Sequence, residues 1–226
     1  MLTYSSTSRP SLQQIAPSGF RQISGAPASR QIEAIGVPML FKRSNEVYGQ
    51  GEPGEYIYRV VTGAVRACRI LADGRRNIGA FYLPGDMFGL DAGPAHGFSA
   101  EAVTDSRLLV IRRRSVLALA ASDNEVAREL WSLTERELAR ALERAVLLSK
   151  TAQERMAGFV LEMAARAAGE TIDLPMPRQD IADYLGLTIE TVSRTLTSLE
   201  QQAAIELPNC HRIVLRNGPA LKELNA

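Results

Sequence analysis

The 226-residue chain reads as an α+β protein: an N-terminal β roll of jelly-roll type, one long helix, and a C-terminal winged helix-turn-helix. Three features lead there. Short apolar stretches punctuated by glycine turns fill the segment from Met39 to about Arg113, as in a small barrel or jelly roll. Glycine and proline are then absent from Ser122 through Gln153, which permits an unbroken helix. Beyond Thr151, short helical patterns separated by single glycines end in a hairpin pattern. The expected division is 1–35 as an arm, 36–121 as the roll, 122–150 as the long helix and 151–226 as the C-terminal unit.

Residues 1–35 are serine-rich, with arginines at positions 9, 21 and 30 and a single acid, Glu33. An organelle transit peptide shares that composition, but apolar helical periodicity is missing, so the segment reads as a disordered or loosely attached arm. In the roll, RVVTGAVRACRI from Arg59 to Ile70 alternates branched and polar residues around Gly63. Ala72-Asp73-Gly74-Arg75 carries the Asp-Gly hairpin signal, because glycine accepts the positive φ such turns need. Ile78 to Leu83 is a further strand, closed by Pro84-Gly85-Asp86, and the strand Leu108 to Ile111 runs into Arg112, Arg113 and Arg114.

Ser122-Asp123-Asn124-Glu125 has capping-box spacing and starts the long helix, about 27 residues or ~40 Å. Apolar or small residues recur along it at Leu130, Thr134, Leu138, Ala141, Ala145 and Leu148. A stripe so narrow suits a partner helix better than a globular core, so these six are the expected homodimer contact. Trp131 and Leu142 lie off it and are expected to pack on the roll. After a junction near Lys150-Thr151, a second helix runs to Ala168 and stops at Gly169; residues 172 to 176 are extended, and Pro175-Met176-Pro177 forbids helix.

Composition excludes several classes. No apolar run approaches the ~18 residues of a membrane span, and no signal-peptide core opens the chain, so a cytoplasmic protein without membrane contact is expected. Cys68 and Cys210 are far apart and outside any CxxC or Cys/His cluster, which gives no basis for a disulfide framework, a structural zinc site or other metal. Cys210 adjoins His211, yet the simpler reading is a lone solvent-facing or half-buried thiol. An enzyme of the Ser/His/Asp kind would have only His96 and His211 to draw on, and no GxSxG or phosphate loop is present.

From Arg178 to Arg216 the pattern is more informative. RQDIADYL, residues 178 to 185, places Ile181, Ala182 and Leu185 on one helical face. Gly186 and Leu187 follow, and Thr188 is an N-cap for a helix reaching Gln201 or Gln202. Two short helices joined by such a turn form a helix-turn-helix. Val192, Leu196 and Leu199 would be buried, while Glu190, Ser193, Arg194 and Thr197 share the opposite face. Arginine grips guanine O6 and N7 with two hydrogen bonds, and glutamate accepts from the cytosine amino group, so these side chains suit base edges. Ile205 to Leu207 and Arg212 to Arg216 make a wing around Pro208-Asn209. Arg178, Gln179, Thr188, Thr197, His211 and Arg212 are placed to meet backbone phosphates of double-stranded DNA. Bulk charge argues the other way: residues 151 to 226 hold seven Arg/Lys against ten Asp/Glu, so binding must rest on placement.

RQDIADYLGLTIETVSRTLTSLEQQAAI resembles the helix-turn-helix of the CRP/FNR family of bacterial regulators, and GAFYLPGDMFGL resembles that family's cyclic-nucleotide-binding-like barrel. The resemblance spans about residues 37 to 217. The Glu190, Ser193, Arg194 combination is similar to that of FNR and FixK proteins, which implies TTGA-type half-sites in a palindrome and a homodimer that recruits RNA polymerase. Ile189 stands where cyclic-AMP-responsive members carry a further base-reading arginine. Leu90 replaces their ribose-binding glutamate, and PAHGFSAE, residues 94 to 101, lacks their phosphate-binding arginine. No cyclic nucleotide is therefore expected. No cysteine precedes Cys68, which rules out four-thiolate iron–sulfur ligation by one subunit, and His96 is more readily a structural histidine than a haem ligand. The nearest resemblance is to FixK-type regulators with no evident cofactor, which implies a role in oxygen limitation and nitrogen fixation; a ligand- or haem-sensing regulator of the same architecture is the alternative.

Overall fold

The computed structural model describes residues 27–91, 93–167 and 169–225. Eight strands build the roll: β1 (Val37–Phe41), β2 (Glu46–Tyr48), β3 (Tyr56–Thr62), β4 (Val65–Ile70), β5 (Arg76–Tyr82), β6 (Met87–Phe88), β7 (Ser99–Ala102) and β8 (Ser106–Arg112). They form two four-stranded antiparallel sheets, ordered β1-β8-β3-β6 and β2-β7-β4-β5. Ile57 pairs with Ile111 and Val60 with Leu108 in the centre of the first sheet. The turn between β3 and β4 requires glycine: Gly63 has φ +86°, and a Cβ there would lie 2.3 Å from the Ser106 hydroxyl. Inside the roll, Tyr48, Tyr58, Phe88 and Tyr82 form an aromatic column with ring centres 5.3, 5.1 and 4.7 Å apart along it. All four rings are buried.

Within residues 1–35, read as an arm, 27–34 are instead helical, while residues 1–26 lie outside the described residues. Pro27–Ala34 is a helix, α1, whose Ile32 is completely buried. Glu33 forms an ion pair of 2.7 Å with the buried Arg59 of β3. A second helix, α2 (Arg113–Ser122), follows β8, where the sequence reading continued the roll to residue 121.

The long helix is α3, Asn124–Leu147, 24 residues or about 36 Å. Its cap is Asp123 and not Ser122: the Asp123 carboxylate accepts from the Glu125 and Val126 amides, whereas the Ser122 hydroxyl donates back to the Leu119 carbonyl. One face turns inward along a perfect four-three repeat of Val126, Leu130, Leu133, Glu137, Arg140, Arg144 and Leu147. Leu130 thus packs on its own chain beside Ile32 and Val116, against the expectation that it faces a partner. Trp131 and Leu142 are also corrected: they do not pack on the roll but stand 68% and 60% exposed. They extend the outward stripe of Thr134, Leu138, Ala141, Ala145 and Leu148, all exposed.

The C-terminal unit comprises α4 (Ala152–Arg166), β9 (Thr171–Asp173), α5 (Arg178–Leu185), α6 (Ile189–Gln201), β10 (Ile205–Asn209), β11 (Arg212–Leu215) and α7 (Gly218–Leu224). Helix α4 ends two residues before the expected Ala168, and α7 went unforeseen. Thr151 and Glu154 close a reciprocal capping box at the start of α4. Strands β10, β11 and β9 form one antiparallel sheet, with Ile213 opposite Ile172. Phe159, Ile181, Leu185, Val192, Leu196 and Leu199 fill the core beneath. Among the described residues no helix is long and apolar enough to cross a membrane.

Candidate nucleic-acid interface

Helices α5 and α6 are joined by a turn whose geometry the local sequence dictates. Gly186 caps α5 in the left-handed conformation at φ +63°, which a side chain rarely adopts. Thr188 caps α6, its hydroxyl accepting from the Thr191 amide at 3.2 Å. Val192, Leu196 and Leu199 then turn into the core, as the spacing predicts, together with Thr195, whose hydroxyl donates to the Thr191 carbonyl at 2.7 Å. The opposite face carries Glu190, Ser193, Arg194 and Thr197 into solvent.

Glu190 sits in the first turn of α6. Its own backbone amide and the Thr188 hydroxyl hold its carboxyl below the usual range, and the charge of Arg194 adds to this. It stays ionised and acceptor-only, as recognition of an amino group requires. Arg194 reaches back to the Thr191 hydroxyl at 3.4 Å, a long contact that leaves most of its guanidinium free. Thr191, between the two, was not singled out by the sequence reading, although it lies three residues from both Thr188 and Arg194.

The flanking residues differ in readiness. Gln179 is exposed at the start of α5, donating to Asp183 at 2.8 Å. Arg178 is half-buried: burial pulls its guanidinium downward against the nearby Cys210, and its Nη1 is a buried donor with no protein partner. On the wing, the His211 amide donates to the Asn209 side chain at 2.9 Å, which shapes the turn and leaves the ring exposed. Arg212 pairs with Asp173 at 2.7 Å, with both side chains about half exposed or more. Arg216, also missed, pairs with Glu206 on the same hairpin.

The acidic excess of this unit is turned elsewhere. Asp180 and Asp183 are engaged by arginines of the roll, and Glu162 accepts from the Tyr184 hydroxyl at 3.2 Å. Cys68 is buried, and burial together with the Glu101 charge pushes its thiol up to about 11, while Cys210 is exposed on the wing.

In the roll, the loop after β6 is internally tied. The Asp91 carboxylate bonds His96 Nδ1 at 2.7 Å and accepts from the Gly97 amide at 3.2 Å. The buried His96 ring stacks on Tyr48 with centres 3.6 Å apart, and Arg113 donates to the Asp91 carbonyl at 2.5 Å. His96 is thus held within its own chain by Asp91 and Tyr48. The stretch from Pro94 to Glu101 supplies no cation for a phosphate, and the neighbouring Asp91 carboxylate is engaged by His96 and Gly97.

This combination of β roll, long helix and winged helix-turn-helix defines a DNA-binding transcription regulator. The cyclic nucleotide-binding domain family matches residues 38–123, and the Crp-like helix-turn-helix domain family matches residues 154–224. The chain belongs to the CRP/FNR family of transcription regulators. Within it the similarity is to FixK. The chain is 48% identical over 208 residues to the nitrogen fixation regulation protein FixK of Azorhizobium caulinodans, covering 89% of this chain and 84% of that protein. It is 41% identical over 208 residues to FixK of Rhizobium meliloti, covering 88% and 95%. The solved structure of FixK2 from Bradyrhizobium japonicum superposes with a TM-score of 0.82 at 47% identity, covering 85% of this chain and 98% of that one.

Proposed function

We propose that the chain is a homodimeric, cytoplasmic transcription activator that reads a TTGA-type palindrome and recruits RNA polymerase. The response it serves is oxygen limitation and nitrogen fixation, in keeping with the names of its FixK relatives. One observation carries the DNA reading: Glu190, Ser193 and Arg194 stand exposed in the first turns of a capped helix, and the guanidinium of Arg194 is held by no more than a long Thr191 contact. Glu190 and Arg194 read bases, Ser193 adds a base contact, and Arg178, Gln179, Thr188, Thr197, His211 and Arg212 hold phosphates. The buried Nη1 of Arg178, without a protein partner, gains a phosphate oxygen once its side chain turns outward. Dimerisation runs through the outward stripe of α3, in which Trp131 and Leu142 join Thr134, Leu138, Ala141, Ala145 and Leu148. Paired recognition helices then enter successive major grooves about 34 Å apart.

The regulator works without a cyclic nucleotide, haem or other cofactor. Leu90 in place of an acid, the loop without arginine, and the column of buried rings support this. Titrating the protein against a TTGA palindrome and against versions with each half-site base replaced tests the reading; equal affinity for all of them would refute it. A ligand-sensing alternative is favoured by one feature, a cleft of about 940 Å³ between the roll and α3, lined by Phe81, Phe98, Glu137, Arg140 and Arg144. Native mass spectrometry and a visible absorption spectrum decide between them, a retained stoichiometric small molecule favouring the alternative.

A further inference from the structure

Helix α5 lies against β5 of the roll, joined by an aromatic pair, Phe81 with Tyr184 at 5.2 Å between ring centres, and by a cluster of ion pairs. Asp180, with only 1% of its surface exposed, accepts from Arg66 Nη1 at 2.6 Å and from Arg76 Nη2 at 2.5 Å. Arg76 also donates through Nε to Asp183 at 2.7 Å. Arg66 is held on its other side by Glu101, through Nε at 3.0 Å and Nη2 at 2.7 Å. From α3, Arg144 donates to the Gly79 and Tyr184 carbonyls, with its guanidinium 4.7 Å from the centre of the Tyr184 ring. Arginines from β4, β5 and α3 therefore grip one face of α5, made of Asp180, Asp183 and Tyr184. The other face, with Ile181, Ala182 and Leu185, packs on the core of the winged unit. Helix α6 keeps its reading face free.

A buried ion cluster is a poor source of stability, since packed apolar residues of similar volume serve as well. An arginine that gives different nitrogens to two carboxylates instead fixes orientation, as Arg66 does to Glu101 and Asp180 and Arg76 to Asp183 and Asp180. We propose that Arg66 and Arg76 are positioning residues for DNA recognition: their grip on Asp180 and Asp183 sets the angle of the winged unit on the roll, and so the separation of the two recognition helices. The roll thereby supplies the orientation without an effector. This rests on the dimeric palindrome reading above.

Removing Arg76 leaves Arg66, among the described residues, as the one cation facing the three carboxylates Glu101, Asp180 and Asp183, and the winged unit lifts to solvate them. Apparent affinity then falls by the fraction of dimers with both units docked, so a fully docked share of about one tenth weakens palindrome binding about tenfold. A single half-site needs only one recognition helix, in whatever orientation, and keeps its affinity.

The experiment measures fluorescence anisotropy of wild-type dimer and Arg76→Gln on three DNAs: the palindrome, the same palindrome with two base pairs added between half-sites, and one half-site. Wild type should prefer the correct spacing strongly. In Arg76→Gln the palindrome affinity should fall about tenfold or more, with the spacing preference collapsing and half-site binding unchanged. Asp183→Asn should act in the same direction, and the double variant should be no worse than the stronger single one, as members of one cluster are non-additive. A spacing preference equal to wild type in both single variants would overturn the proposal. So would a loss on the half-site as large as on the palindrome. If Arg76→Gln does not fold by circular dichroism, the same three DNAs are measured with Asp183→Asn, and a wild-type spacing preference there overturns the proposal. If wild type ignores the palindrome, the functional reading falls first, and hydrogen exchange of the free protein tests the cradle. Faster exchange in α5 and β5 of Asp183→Asn, with α6 unchanged, supports it; identical exchange in α5 overturns it.

Discussion

Leu138→Asp is expected to dissociate the dimer, and the structure gives the size of the effect. Leu138 sits at the middle of the outward stripe of α3 and is 60% exposed in the single chain, so a partner helix would cover that remaining surface. Complete burial of a leucine side chain contributes ~1.5–3 kcal/mol, of which the exposed share is ~1–2 kcal/mol. A two-fold interface counts each residue twice, which brings the loss to ~2–4 kcal/mol before the cost of burying two carboxylates. At ~1.4 kcal/mol per tenfold, the dimer dissociation constant should rise about 30- to 700-fold. Sedimentation velocity over a dilution series measures this directly. Arg136→Ala, on the opposite side of the helix and 52% exposed, should leave the constant unchanged. A wild-type dimer whose dissociation is insensitive to Leu138→Asp would refute the assignment of this stripe.

Arg194→Ala should lose ~1–3 kcal/mol of discrimination at the guanine it reads, checked by competition gel shifts among half-site variants. Arg212→Ala should weaken all sequences alike and reduce the salt slope by about one, whereas Asp173→Asn, by releasing Arg212 from its exposed pair, should tighten binding modestly. Ile32→Ala should destabilise the protein by ~2–4 kcal/mol in urea unfolding, since its side chain is wholly buried under α1. Cys210 should react with a thiol reagent at neutral pH while Cys68 does not. Because the folded Cys68 ionises only near 11, against 9 in the unfolded chain, its stabilising contribution is complete below pH 9. It is lost as pH rises toward 11, so Cys68→Ala should fall less steeply than wild type over that interval in urea titrations.

Helix α6 was legible in the sequence because each of its determinants is local. Thr188 caps it, Gly186 ends the helix before it, and Val192, Leu196 and Leu199 recur within three turns. What escaped depends on distant partners. Helix α1 has eight residues and one deep anchor, Ile32, too little for periodicity to show, and its ion pair with Arg59 joins residues far apart in sequence. Helix α2 begins within three consecutive arginines that read as the exit of a strand. On α3 both faces repeat in fours and threes, so spacing identifies two stripes without saying which meets the roll. That ambiguity misplaced Leu130, Trp131 and Leu142. The acidity of the C-terminal unit pointed away from DNA until Asp180 and Asp183 were seen against Arg66 and Arg76, more than a hundred residues earlier.

Selection of bound sites from random duplex DNA, at a stated salt concentration, tests the central claim most directly. The proposed function predicts enrichment of two inverted TTGA half-sites with centres about one helical turn apart, and loss of the guanine preference in Arg194→Ala. Enrichment of a single unpaired motif, or of no motif, would contradict it.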